Sequence, residues 1–333
     1  MSEPGSLGGA DTRHPGSVGC GILLLDKPAG LSSNAALQRV RRLLGARKAG
    51  HVGSLDPLAT GMLPICLGEA TKVAGEILSG RKRYAFTVRL GSRTATGDTE
   101  GAVVETTAVP ALQRPAIEAV LGAFTGVQQQ VPPMYSAIKR AGQPLYRLAR
   151  SGIEVEREAR TIELYELQLL AVRAAELEIE ALCSKGTYIR TLAEDIARAL
   201  GTCGHVTALR RLQVEPFEPD AMITLEAIAA LSEGRGDTPG AAAAPDRSPS
   251  DSRQIAQGPG LSILPADAPL QHLPAVALDA PTVARLLHGQ TVNGGPSAPQ
   301  GTVRLYDLTG TFLGLGIGEP GGAVRARRLF SRC

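Results

Sequence analysis

The chain has no tryptophan, and aromatic residues make up only 3% of its 333 positions. Where aromatics are this scarce, the place of each one carries information. Cysteine is sparse too: Cys20, Cys66, Cys183, Cys203 and Cys333 are odd in number and widely scattered. No C-x-x-C pair occurs, which argues against a zinc site, a dithiol centre and a disulfide scaffold. Free thiols in a reducing cytosol are the expectation, and with them a cytoplasmic protein. No apolar run reaches the ~18 residues that a membrane-spanning helix needs. The start lacks a basic region followed by an apolar stretch, so no secretory signal is visible. A strong net charge is also missing. Lys and Arg number 35 against 32 Asp and Glu, a total of +3 that gives no basis for a strongly basic nucleic-acid binder. What is present is a hydrophobic fraction of 43%, which excludes wholesale disorder and supports about two domains.

Two stretches read as unstructured. Residues 1–19 are rich in Gly, Ser and Pro without periodicity, and 233–260 are similar. Neither can bury enough apolar surface to offset its ordering entropy. The second divides a body, 20–232, from a tail, 261–333. In the body, Ile22 to Leu25 reads as a buried strand. Ser32, Ser33 and Asn34 offer N-cap oxygens to a helix carrying Leu37, Val40, Leu43 and Leu44, ended by Gly45. Tyr84, Phe86, Val88 and Leu90 alternate with polar or small residues as a half-buried strand, and Leu177, Ile179 and Ala181 alternate with Glu176, Glu178 and Glu180. Ile189, Leu192, Ala193, Ile196 and Leu200 form an amphipathic helix stopped by Gly201. Thr302 to Tyr306 and Phe312 to Ile317 suggest a small β-rich tail.

Charge is unevenly spread. Segments 27–55, 134–150 and 320–333 hold six, four and four cations and no acid. If they share a face, a phosphate-binding surface exists despite the near-neutral total; otherwise they are solvated helix faces and a fraying terminus.

The densest chemical signal is Gly50-His-Val-Gly-Ser-Leu-Asp-Pro-Leu-Ala-Thr-Gly61. Its glycines and Asp-Pro step mark an irregular loop. Asp56, among Leu55, Leu58 and Ala59, is either a turn former or a reactive carboxylate. A second signal, Cys183 to Asp195, joins the Glu-striped strand to the amphipathic helix. Arg190 lies in that helix's first turn, where the helix dipole disfavours a cation. A partner carboxylate would repair this and would be held ionised in return; the alternative is a solvated arginine.

These strings and their order make the chain resemble the bacterial tRNA pseudouridine-55 synthases, the TruB family. The resemblance is carried by Leu24-Leu-Asp-Lys-Pro-Ala-Gly-Leu-Ser-Ser33, His51-Val-Gly-Ser-Leu-Asp-Pro-Leu-Ala-Thr-Gly-Met-Leu63, Gly68-Glu-Ala-Thr-Lys72 and Lys82-Arg-Tyr84. It continues through Gly97-Asp-Thr-Glu-Gly101, Val131-Pro-Pro-Met-Tyr-Ser-Ala-Ile-Lys139, Gly186-Thr-Tyr-Ile-Arg-Thr-Leu-Ala-Glu-Asp195 and His205-Val-Thr-Ala-Leu-Arg-Arg211. Four of the six tyrosines (Tyr84, Tyr135, Tyr146, Tyr188) lie in or beside these strings. The chain departs from the family at Leu212-Gln-Val-Glu-Pro-Phe217, where an Arg-Ser-Gly-x-Phe string is usual, and in the length of 233–260.

The resemblance implies an α+β pseudouridine synthase fold, a mixed and mainly antiparallel sheet flanked by helices, with a small PUA-like RNA-binding module at 261–333. It implies an isomerase that turns uridine 55 of the tRNA T-loop into pseudouridine without metal or organic cofactor, and a possible second role in tRNA folding. The partner implied is tRNA, its T-arm at the body and its acceptor end at the tail, with no membrane, no obligatory protein partner and a monomeric state. Asp56 matches the essential aspartate, Tyr84 the tyrosine packed on the target base, and Arg190 the arginine paired with the aspartate. Leu209 matches an apolar lining position, and His51 a histidine that fills the gap left by the flipped base. Lys27 is expected to support the active-site loop. Lys72, Lys139 and Arg140 are expected to contact phosphates.

Overall fold

The computed structural model describes residues 19–140, 142–233, 255–256, 261–295 and 298–330. The expected disordered start, apart from Gly19, and most of the expected linker lie outside the described residues. Nine strands form the main sheet. They are β1 (Gly21–Lys27), β2 (Ala49–His51), β3 (Thr60–Leu67), β4 (Lys82–Leu90), β5 (Gly126–Gln130), β6 (Arg160–Arg173), β7 (Glu176–Cys183), β8 (Gly204–Val214) and β9 (Ile223–Thr224). Their order is β9-β1-β3-β8-β4-β7-β6-β5, with β2 paired to β3. All neighbours are antiparallel except β1 with β9 and β3 with β8. The sheet is mixed and mainly antiparallel, the α+β architecture the sequence implied.

β1 shows why an unbroken apolar run makes a central strand. Leu23 and Leu25 point into one core and Ile22 and Leu24 into another, all at most 1% exposed. On the first face lie α1 (Ser33–Leu43), α2 (Arg114–Phe124) and α3 (Ile189–Ala199), burying Leu37 and Val40, Ile117 and Leu121, and Ile189, Leu192 and Ile196. Ser32 caps α1, its hydroxyl accepting from the Ala35 N–H at 3.1 Å. The glutamate stripe of β7 is not merely solvated: Glu180 accepts from Arg83 at 2.8 Å and Glu176 from Arg89 at 3.1 Å across the β4–β7 pairing.

The tail holds a separate sheet of β10 (Ala275–Leu278), β11 (Val292–Asn293), β12 (Gly301–Asp307), β13 (Phe312–Gly318) and β14 (Ala323–Leu329), ordered β10-β12-β13-β14-β11. It has a small core of its own around Val276, Val303, Leu305 and Val324. It also shares a core with the back of the main sheet. Ile22, Leu24, Met62, Cys66 and Phe217 pack in one cluster with Leu270, Leu315 and Phe330. Residues 261–273 lead into this seam. Ile22 and Leu264 exchange backbone hydrogen bonds of 2.8 Å in both directions, while Leu261 and Ile263 belong to the main core. Across the seam, Lys72 Nζ donates to the Leu329 carbonyl at 2.7 Å and Arg328 to the Lys72 carbonyl at 2.6 Å.

Among the cysteines, Cys66, Cys183 and Cys203 are buried free thiols. Burial pushes the Cys66 thiol up to about 12 and Cys183 to about 11, so both are inert packing groups. Cys20 departs from the expectation of free thiols, being disulfide-bonded.

Phe330 is nine-tenths buried at the seam. Phe330→Ala is expected to cost about 3–5 kcal/mol, the usual range for deleting a buried ring. Urea unfolding of the full chain measures this; a loss under about 1 kcal/mol would show that the seam contributes little.

Candidate active site

The loop between β2 and β3 carries Asp56, and its neighbours in sequence are held from behind. The Ser33 hydroxyl, at the start of α1, accepts from the Leu55 N–H at 2.7 Å and lies 3.0 Å from the Leu55 carbonyl, to which it can also donate. Lys27 Nζ, at the end of β1, donates to the carbonyls of Pro28 at 2.9 Å, Leu31 at 2.7 Å and Pro57 at 3.3 Å. Residues 55 and 57 are thereby fixed on either side of Asp56. Lys27 is fully buried, and desolvation lowers its ammonium to about 8. A group so placed holds the loop; it is not exposed to a ligand. The local turn is closed by the backbone, Ala59 N–H to the Asp56 carbonyl at 3.0 Å. That leaves the Asp56 carboxylate free to face a partner.

The partner is Arg190. Its Nε lies 2.9 Å from Asp56 Oδ2 and 3.7 Å from Asp98 Oδ2. Its two terminal nitrogens donate to the carbonyls of Thr96 and Tyr135, each at 2.7 Å. The residue is 4% exposed, and each of its three guanidinium nitrogens meets a protein acceptor. The awkward cation in the first turn of α3 is explained by these acceptors. The helix start itself lacks a side-chain cap of its own. Gln130, buried at the end of β5, supplies one: its Oε1 accepts from the Tyr188 N–H at 2.8 Å and its Nε2 donates to the Tyr188 carbonyl at 3.1 Å. Asp98 is buried as well, its Oδ1 accepting from the Thr96 hydroxyl and from the Glu100 N–H at 3.0 Å.

Burial raises the Asp56 carboxyl above its ordinary 3.8, with Arg190 opposing that push and Asp98 adding to it. Burial likewise raises the Tyr84 phenol above 10, which keeps it neutral at physiological pH, and lowers His51 below 6.5, which keeps it uncharged.

A cleft of about 1300 Å³ gathers these groups. Asp56, Tyr84, Arg190, His51 and Leu209 all line it, together with Tyr135, Tyr146 and Tyr188. Of the remaining sequence candidates, Lys27 lies behind the loop. Lys72 lies outside the cleft, committed to Leu329 and Glu69 and to the Phe330 ring at 5.6 Å. Lys139 and Arg140 form an exposed hairpin that directly follows the lining residues Ala137 and Ile138 without joining the lining, with Arg140 donating to the Glu156 carbonyl at 2.6 Å. The basic segment 27–55 is also less of a surface than its count suggests, because Lys27 is interior and Lys48 pairs with Glu69 at 3.3 Å.

Residue-by-residue reading missed Asp98, Arg211 and Lys82 as cleft groups. Each lies in a string already noted, but no spacing in the chain reveals that residue 98 meets residue 190. Lys82 Nζ donates to the Leu78 and Gly80 carbonyls at 2.6 Å, and desolvation lowers it to about 8.

Two solved structures share the fold: a Cbf5-Nop10-Gar1 complex, with TM-score 0.66 and 24% identity over 93% of this chain and 85% of that one, and an H/ACA RNP bound to a substrate RNA containing 2'-deoxyuridine, with TM-score 0.65 and 23% identity over 94% and 85%. The TruB family pseudouridylate synthase N-terminal domain matches residues 41–189, the tRNA pseudouridylate synthase B C-terminal domain 190–238, and the pseudouridine synthase II TruB C-terminal domain 274–330. Relatives called tRNA pseudouridine synthase B are 48% identical in Chromohalobacter salexigens (96% of this chain, 97% of the relative) and 48% in Aromatoleum aromaticum (96% and 95%). The chain belongs to the TruB family of pseudouridylate synthases.

A carboxylate whose folded value is raised binds its proton more tightly in the native state, so it lowers stability as pH rises from 3.8 through that value. Asp56→Asn removes this cost and leaves Arg190 bonded to Thr96, Tyr135 and Asp98. Its thermal midpoint at pH 7 is expected to equal or exceed that of the wild type; a clear fall would show that the Asp56–Arg190 pair stabilises the fold.

Proposed function

We infer that this chain isomerises uridine 55 in the T-loop of tRNA to pseudouridine. The observation that carries the reading is Asp56, 2.9 Å from the buried Arg190, in a cleft lined by Tyr84 and Leu209. In the reaction the C1′–N1 bond breaks, the uracil turns, and a bond forms between C1′ and C5, whose proton is then released. No atom is gained or lost, so the chemistry calls for no oxidant or second substrate. Asp56 acts in its ionised form, as nucleophile on the ribose or as the base that removes a ribose proton. Arg190 orients it and opposes the proton that burial invites. Tyr84 supplies an apolar, neutral ring face for the base, and Leu209 helps to keep the pocket dry.

A uridine inside a folded loop must be flipped out before it reaches Asp56. An uncharged His51, whose buried Nδ1 has no hydrogen-bond partner among the described residues, fits the gap left in the RNA stack. The rim carries Tyr146 with Arg150 at 5.9 Å from its ring centroid, a combination suited to stacking and phosphate contact. The tail is read as the grip on the acceptor end, where Arg325, Arg327 and Arg328 are exposed. Lys139 and Arg140 remain candidates for phosphate contact. The enzyme acts alone, as a cytoplasmic monomer; among the described residues no helix is long and apolar enough to cross a membrane.

The test is pseudouridine formation on a bare T-arm stem-loop, without guide RNA. Wild type is expected to turn over and Asp56→Asn to be silent while still binding RNA. Turnover in that variant would sink the assignment. In wild type the acid limb of kcat/KM is expected above pH 3.8, because activity needs the ionised Asp56 and burial raises its pKa. An acid limb at or below the ordinary aspartate value would count against this role. Because tail and body share a core, the tail is tested by Arg327→Glu rather than by deletion. Full-length tRNA is expected to bind more weakly while the minimal T-arm binds as before.

A further inference from the structure

Arg211 heads the largest fully buried side chains, at 1% exposure, yet it lines the cleft. Its hydrogen bonds go to carbonyls rather than to a carboxylate: Nε donates to Met62 at 2.7 Å and Nη2 to Gly53 at 3.0 Å. Gly53 stands three residues before Asp56 and Met62 six after it. One guanidinium therefore grips both ends of the catalytic loop. In register, Arg211 stands opposite Gly61 in the parallel β3–β8 pairing and opposite Tyr84 in the antiparallel β4–β8 pairing. The backbone is shaped around it. At Gly61 (φ +98°) a Cβ would lie 2.2 Å from the Arg211 carbonyl oxygen, and at Gly53 (φ +69°) one would lie 3.2 Å from Nη1. Two glycines of the catalytic string thus stand where the loop meets this arginine.

We propose that Arg211 is a positioning residue for the isomerisation, stapling the two ends of the Asp56 loop and setting that loop against Tyr84 so that both side chains meet the same nucleotide. The proposal rests on reading the cleft as the pseudouridine-forming site. An arginine suits the task because its donors are fixed in one plane and reach two carbonyls on different segments. A lysine offers a single rotatable point charge and cannot span them. Burying a guanidinium against two carbonyls and the Tyr84 hydroxyl, with no carboxylate hydrogen-bonded to it among the described residues, is costly, which speaks for a role beyond packing. Its field also reaches the cleft: after burial itself, Arg211 further lowers His51 and Lys82, and it favours the ionised form of the Tyr84 phenol against the larger effect of burial.

The experiment compares wild type, Asp56→Asn and Arg211→Lys by single-turnover pseudouridine formation on a T-arm stem-loop, by filter-binding affinity and by thermal unfolding. If wild type makes no pseudouridine, the reading of the cleft and this proposal fall together. If wild type turns over and Asp56→Asn does not, that reading stands and the Arg211 variant alone decides. Folded Arg211→Lys is expected to lose about 100-fold in rate, the scale of a misplacement near 1 Å, with affinity within about threefold of wild type. A wild-type rate, or equal loss of rate and affinity, overturns the proposal. If Arg211→Lys does not fold, Gly53→Ala keeps the arginine but crowds Nη1, and the same split between rate and affinity is expected. A wild-type rate in Gly53→Ala overturns the proposal in its turn.

Discussion

The arrangement depends on one buried guanidinium. Arg190 stands between two carboxylates and two carbonyls brought from three separate stretches of chain, and it is closed off from water. Several acceptors together make a buried charge in that position tolerable. The Asp56 loop, the 94–101 loop and the segment around Tyr135 must therefore come together on the start of α3. The same demand that makes the arginine costly to bury makes it an organiser. The carboxylate whose pKa burial raises is the one its guanidinium addresses most closely.

Around this centre the cations outnumber what pairing alone would call for. Lys27, Lys82 and Arg211 are all buried, and each is satisfied chiefly by backbone carbonyls. The carbonyls of Pro28, Leu31, Gly53, Pro57 and Gly80 lie in loops and turns, outside any helix or strand, while that of Leu78 lies in the last turn of the helix Ala74–Ser79 and that of Met62 in β3. The lysines carry lowered pKa values near 8 because water is excluded, not because acids are absent. An irregular loop needs such external donors. Its Gly and Pro residues give it the path it follows but no ladder of its own.

Much of this was legible in the chain. Local periodicity located β1, α1, β4, β7, α3 and the tail strands, because each buries one face or both and its side chains repeat accordingly. The oddity of Arg190 in a first helical turn was visible, as was the density of the 50–61 string. Other features were not. Asp98 resembles any turn aspartate until its loop is folded onto α3. Lys72 looks like a phosphate contact by its string but is held by Leu329, some 257 residues on. The tail looked like a module on a tether, whereas Phe330 and Leu315 complete a core begun by Ile22 and Leu24. Net charge misled twice: the total hid three basic segments, and the segment count included a lysine that faces no solvent.

By itself the sequence determined the class of elements, the family and the candidate loop around Asp56. These rest on short-range pattern: period, turn residues and strings of about a dozen positions. Tertiary structure alone decided which charges are buried, which carboxylate stands beside Arg190, and which carbonyls Arg211 and Lys27 hold. The physical reason is that burial and pairing depend on separation in space, and the pairs that matter here, 56 with 190, 98 with 190 and 53 with 211, lie about ninety or more residues apart along the chain.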